Sequence, residues 1–180
     1  YVGNHGLEIE GHGIDFIHPI AKKAVPLLHS LSQDISKAIA GIKGARIDNK
    51  GLTLSLHYRL VDETQVDELN KIFQNIISAP LASDKIRVTP SKKAHDIRPA
   101  VDWDKGKAIE FIAQKLSGEG KPLMVYLGDD VTDYDGFRLV DKNGGISIYV
   151  GKETTEPVAQ YLLYSPDEVY QFLVMLKDAI

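Results

Sequence analysis

From about Ile20 to Ile42 the apolar residues Ile20, Ala24, Leu27, Leu28, Leu31, Ile35, Ala38, Ile39 and Ile42 recur at helical spacing. They predict a long amphipathic helix, kinked at Pro26 and ended by Gly41 and Gly44. Upstream, Tyr1 to Ile9 reads as short strand pieces around an Asn4-His5-Gly6 turn, with Gly11 and Gly13 allowing a flexible crossing. Downstream the period changes to two. Ala45 to Asp48 and Leu52 to Leu60 form a strand pair through Asn49-Lys50-Gly51. In it Leu52, Leu54, Leu56 and Tyr58 alternate with Thr53, Ser55, His57 and Arg59, so one face is expected to be buried. A second helix follows from Glu63 to Ala79, with Pro80 as its stop, and then two strands near Lys85 to Thr89 and Ala94 to Ile97. The order helix, two strands, helix, two strands is an α+β module, αββαββ, with helices on one face of an antiparallel sheet.

After Pro99 helix and strand alternate, the pattern of a parallel α/β sheet. A helix is predicted from about Lys105 to Leu116, and Leu123 to Leu127 is an apolar run of the kind buried on both faces of a sheet. A short helix near Tyr134 to Val140, a strand at Ile146 to Val150 and a last short strand at Tyr161 to Tyr164 come next. Ser165-Pro166 is the start signal of a closing helix. The expected organisation is an α/β core formed by 1–13 and 99–180, with 14–98 inserted as a cap. Two or three parallel strands cover too little of themselves, so more of the core sheet is expected before Tyr1.

Composition narrows the function classes. The chain has 180 residues, 43% hydrophobic and 26% charged, ordinary globular values, with a formal charge of −4 that disfavours a nucleic-acid partner. No apolar run approaches the length of a membrane span, so no membrane partner is expected. Cysteine is absent, which excludes thiolate chemistry and disulfides and fits a cytoplasmic protein. Nothing in the pattern fixes an oligomeric state. The histidines, His12 and His18 included, match no zinc spacing.

Chemistry concentrates in the loop after the apolar run, Gly128-Asp129-Asp130 followed by Asp133. Ligands of open α/β sheets bind at the carboxyl ends of strands, and hard cations such as Mg²⁺ take carboxylate oxygens while keeping waters. Asp129, Asp130 and Asp133 are therefore candidate metal ligands. Turn formation and helix capping are equally ordinary uses of aspartate there. Lys105, at the start of a helix, can hold a phosphoryl group by charge; a solvated surface lysine is the alternative. Trp103 can stack on a sugar ring or cover the start of the same helix.

Five segments in order carry a resemblance. Asn4-His5-Gly6-Leu7-Glu8, Asp48-Asn49-Lys50-Gly51 with His57-Tyr58-Arg59, Asp96-Ile97-Arg98-Pro99, Asp104-Lys105-Gly106-Lys107-Ala108, and Gly128-Asp129-Asp130-Val131-Thr132-Asp133 resemble the trehalose-6-phosphate phosphatases of the haloacid-dehalogenase (HAD) superfamily. The resemblance implies a HAD-like Rossmannoid core with an αββαββ cap. It also implies Mg²⁺ as cofactor, held by Asp129 with Asp130 or Asp133, and Lys105 as the phosphate-side catalytic lysine. A small sugar phosphate would be the substrate, contacted by Asn4, His5, Arg46, Asp48, Lys50, His57, Arg59 and Asp96.

The chain departs from that pattern in three respects. Asp48 and Asp96 stand where the family usually has Glu, each one methylene shorter, which makes another glycosyl phosphate an alternative substrate. Tyr134-Asp135-Gly136-Phe137 replaces the usual Glu-Asp-Ala-Phe. The superfamily's nucleophilic Asp-x-Asp at the end of an apolar strand has no counterpart, because Asp102-Trp103-Asp104 precedes a helix and reads as its N-terminal acids. The nucleophile is expected upstream of Tyr1, with a non-catalytic sugar-binding or regulatory chain as the alternative.

Overall fold

The computed structural model describes residues 1–117, 122–152 and 158–179. Contacts divide the chain into two compact units, Tyr1–Gly11 with Asp15–Asp102, and His12–Ile14 with Trp103–Ile180.

The first unit opens on β1 (Val2–Gly3), a 3-10 turn (Asn4–Gly6) and β2 (Glu8–Gly11), and β3 (Ile14–Ile17) completes a three-stranded sheet in the order β1-β2-β3. The segment read as a crossing is therefore a hairpin, with His12 at φ 48° and Gly13 at φ 77° in its turn. Helices α1 (Pro19–Ala38) and α2 (Glu63–Ala82) bracket β4 (Arg46–Asn49) and β5 (Leu54–His57), and β6 (Ile86–Ser91) and β7 (Ala94–Pro99) follow. These four strands form an antiparallel sheet ordered β4-β5-β7-β6, the αββαββ module expected from the pattern. Its core joins Leu28, Leu31 and Ile35 of α1 with Leu69, Phe73 and Ile77 of α2 and with Leu54, Leu56, Ile86 and Ile97 of the sheet.

Two expectations change here. Pro80 lies inside α2 and does not stop it; the helix ends at Asp84, at φ 49°, where Lys85 N–H donates to Pro80 O and Asp84 N–H to Leu81 O. That pair of bonds is the Schellman ending, and it satisfies the carbonyls of Pro80 and Leu81 in the last turn. Pro26 lies inside α1, as the pattern places it. Along β5 burial is not one-sided, since Ser55, and Thr53 just before the strand, are buried together with Leu52, Leu54 and Leu56. The first eleven residues lie in the contact unit of 15–102, where Asn4 donates to Lys50 O and accepts from Thr53 Oγ1.

In the second unit β8 (Val125–Gly128), β9 (Ile146–Val150) and β10 (Tyr161–Leu163) form a parallel sheet ordered β10-β9-β8. Helices α3 (Lys105–Leu116), α4 (Tyr134–Lys142) and α5 (Pro166–Ala179) accompany it. Asp104 caps α3, accepting from Lys107 N–H at 2.8 Å, which is the capping role read for the Asp102-Trp103-Asp104 acids. Phe137 and Val140 of α4 are fully buried against the sheet. Strand β8 is only half-buried rather than covered on both faces, and Leu123 before it is 68% exposed. Among the described strands β8 is an edge of its sheet, so one side lacks a neighbour.

Candidate active site

At the carboxyl end of β8 the backbone leaves Gly128 into a turn that closes on itself through Asp133, the last residue of a 3-10 turn (Val131–Asp133). The Asp133 carboxylate is 5% exposed and receives four donors. Lys105 Nζ and Tyr126 OH donate to Oδ1, each at 2.6 Å, while the N–H groups of Asp129 and Asp130 donate to Oδ2 at 3.1 and 3.0 Å. A carboxylate has about four lone-pair positions. All are filled, so Asp133 has none left for a cation.

Burial pushes the Asp133 carboxyl upward, but the hydrogen bonds from Lys105, Tyr126 and the Asp130 N–H outweigh it and hold the group below the usual carboxylate range. The same environment raises Tyr126 well above an ordinary phenol, first by burial and then by its bond to Asp133. Tyr126 therefore remains a donor. Glycine at 128 is required by proximity, since a Cβ there would stand 2.5 Å from Cβ and Cγ of Asp133.

Above this buried anchor Asp129 and Asp130 are exposed. Asp130 Oδ1 accepts from Val131 N–H at 2.6 Å, so part of its carboxylate is a turn cap, the alternative weighed for it. Lys105 is the first residue of α3, with its side chain 30% exposed. Its ammonium has three protons, and the ion pair to Asp133 uses one. Of the carboxylates expected to hold a metal, Asp129 with Asp130 or Asp133, the last is buried and engaged with its four donors, and no group of three or more His, Asp or Glu side chains placed to hold a metal occurs among the described residues. Asp129 and the Asp130 oxygen not used by Val131 N–H are the exposed carboxylate oxygens of this turn that could hold a hard cation, since Mg²⁺ accepts one or two protein carboxylates and keeps waters.

The remaining predicted residues lie in the first unit. Arg46 and His57 are directly opposite on β4 and β5, and Asp48, Ser55 and Asp96 form the next cross-strand row on the same face. Arg59 is exposed past β5 and reaches Lys92 O at 3.4 Å. Asn4 spends its amide on protein partners, donating to Glu8 Oε1 at 2.7 Å and to Lys50 O at 3.2 Å and accepting from Thr53 Oγ1 at 2.5 Å. It fastens the loop that carries exposed Lys50. His5 adopts φ 59° beside it. Trp103 packs edge-to-face on Phe111 of α3 at 6.3 Å, covering the helix start. Sequence reasoning missed Tyr126, read only as strand core, and Ser55, read only as a polar-face position. An aromatic with a hydroxyl two residues before Gly-Asp-Asp was the available signal for the first.

Residues 1–168 match the family model described as trehalose-phosphatase. The chain belongs to the trehalose-phosphatase family. It is 33% identical to the probable trehalose-phosphate phosphatase 4 of Oryza sativa subsp. japonica over 99% of its own length and 49% of that protein. It is 31% identical to trehalose 6-phosphate phosphatase RA3 of Zea mays, over 99% of the chain and 53% of that protein. The chain thus spans about half the length of the curated relatives it matches. Among solved structures, a trehalose-6-phosphate phosphatase related protein superimposes with a TM-score of 0.76 at 19% identity, covering 97% of this chain and 71% of that one. The C-terminal domain of Candida albicans trehalose-6-phosphate phosphatase gives 0.70 at 20%, covering 96% and 68%. The HAD-like fold expected from the motifs is therefore the fold observed.

Proposed function

We propose that the protein carrying this chain is a Mg²⁺-dependent phosphoric monoester hydrolase acting on trehalose 6-phosphate. The observation that carries this reading is the Lys105–Asp133 ion pair set directly beneath the strand-tip turn that presents Asp129. Family membership and the named activities of the relatives support the substrate.

In this reading Lys105 is the catalytic cation. Asp133 fixes its Nζ by a short charge-assisted bond, and the two remaining N–H groups are free to donate to phosphoryl oxygens as negative charge accumulates there. Because Asp133 is already in place, little reorganisation accompanies the reaction. Asp129, with Asp130, would hold the metal. When bound, Mg²⁺ supplies neutralisation of the phosphoryl oxygens. Asp133 acts as a positioning residue and not as a ligand. In the first unit the face bearing Arg46, Asp48, His57 and Asp96 supplies polar groups for sugar hydroxyls, and Asn4 braces the Lys50 loop, with His5 beside it in the chain.

Phosphate release from trehalose 6-phosphate by the full-length protein tests the reading. Chelation of divalent ions and Asp129→Asn are each expected to lower kcat at least about a hundredfold, the scale of removing one electrostatic stabiliser of a transition state. Undiminished turnover in Asp129→Asn would remove the metal role assigned to that residue.

A further inference from the structure

The cap sheet holds a hydroxyl in an unusual place. Ser55 lies on β5 between Asp48 of β4 and Asp96 of β7, each its direct cross-strand partner, and it is 3% exposed. The three side chains share the face turned away from the apolar row that includes Leu54, Leu56 and Ile97. A hydroxyl has one proton to give. Ser55 gives it to Asp96 Oδ1 at 2.6 Å, the length of a charge-assisted O–H···O⁻ bond. Asp48 receives none from it.

The consequence is a difference between two acids in one row. Asp96 has Oδ1 drawn onto the sheet, which leaves Oδ2 to accept, whereas Asp48 takes no bond from Ser55. Asp96 is also one methylene shorter than the Glu usual at its position, so the bond removes reach from a side chain that has little. The angle and depth at which Asp96 meets a ligand hydroxyl are then set by Ser55, not by free rotation of the aspartate. Adjacent strands are about 4.8 Å apart, so Asp48 and Asp96, on either side of Ser55, stand roughly twice that distance from each other, as two acceptors for hydroxyls of one polyol.

We infer that Ser55 is the positioning residue for Asp96 and thereby determines which sugar hydroxyl pattern the cap accepts. This rests on the proposed phosphatase reading for its substrate class, a neutral polyol carrying a phosphoryl group. The Ser55 hydroxyl acts through its bond to Asp96 and not by touching the ligand.

The test is steady-state kinetics on the full-length protein with trehalose 6-phosphate, and with p-nitrophenyl phosphate as a substrate lacking sugar hydroxyls. Ser55→Ala is expected to raise KM for the sugar phosphate about tenfold, in line with loss of a hydrogen bond to a charged group, with kcat within about twofold. Kinetics on p-nitrophenyl phosphate should be unchanged, which a general loss of folding would not allow. Ser55→Cys, close in volume but a weak donor, should show the same rise, covering the case in which alanine unsettles the buried site. In an Asp96→Ala background Ser55→Ala should have no further effect, because its role passes through that carboxylate.

A KM rise in Asp96→Ala but in neither Ser55 variant would overturn the inference while leaving the phosphatase reading intact. Additive effects in the double variant would overturn it in the same way. Hydrolysis of p-nitrophenyl phosphate alone by the wild-type protein would refute the sugar-phosphate reading and the inference with it.

Discussion

A Cβ at position 136 would stand 2.5 Å from Cε1 and 2.7 Å from Cζ of Tyr126, so the ring that delivers a hydroxyl to Asp133 occupies space that only glycine leaves open. The departure from Ala to Gly in Tyr134-Asp135-Gly136-Phe137 is thereby tied to a tyrosine ten residues earlier. Gly136→Ala is expected to destabilise the protein by about 1–3 kcal/mol, the usual scale of overpacking, and to displace Tyr126 from Asp133. In a Tyr126→Leu background, where the ring is gone, the same substitution should cost much less. Equal costs in the two backgrounds, measured by thermal or denaturant unfolding, would break the link between Gly136 and Tyr126.

Among the elements, boundaries that rest on capping chemistry were legible and those that rest on tertiary satisfaction were not. Asp104 before Lys105 predicted the start of α3, and Ser165-Pro166 that of α5, where Glu168 N–H donates to Ser165 Oγ at 3.3 Å. Periodicity also placed β9 at Ile146–Val150. Pro80 misled because the missing donor of a proline matters little in a last turn whose other carbonyls are satisfied by Ser83, Asp84 and Lys85. Strand β3 was hidden because Gly11 and Gly13 read as freedom, whereas here positive φ at Gly11, His12 and Gly13 makes a hairpin. The burial of Thr53 and Ser55 depends on partners 49 and 41 residues away in sequence, which no local period reports. Asp84 supplies a test at this scale. It carries the left-handed residue of the α2 ending, a conformation glycine adopts without strain, so Asp84→Gly should raise stability by up to about 1 kcal/mol. A loss of stability in denaturant titration would mean that the aspartate side chain, not the backbone ending, secures that terminus.

Across the whole molecule, acid should act on the two units in different pH windows. In the first unit His95 stacks on Phe73 at 4.8 Å, tilts against Tyr58 at 5.1 Å and bonds Asn70 at 2.9 Å, and its burial lowers its pKa below 6.5, with Asp96 opposing. His18 is lowered by burial in the same direction. A depressed histidine is neutral in the folded protein while its unfolded counterpart takes a proton. That stability is complete above 6.5 and is lost as pH falls through the folded value. In the second unit Asp133 is depressed from 3.8, so its contribution is present above that value and is lost only at lower pH, as protonation breaks the bond to Lys105. Thermal unfolding followed from about pH 7.5 to about pH 5 should therefore show falling stability that originates in the histidines. His95→Gln, which keeps a partner for Asn70 without a titrating ring, is expected to flatten that slope, with the remainder due to His18. Asp133→Asn should leave the same slope intact and lower stability at neutral pH instead, by about 1.5–3 kcal/mol for hydrogen bonds to a charged group. An unaltered slope in His95→Gln would show that the stacked ring does not titrate on unfolding, and the acid sensitivity would then have to arise elsewhere in the first unit.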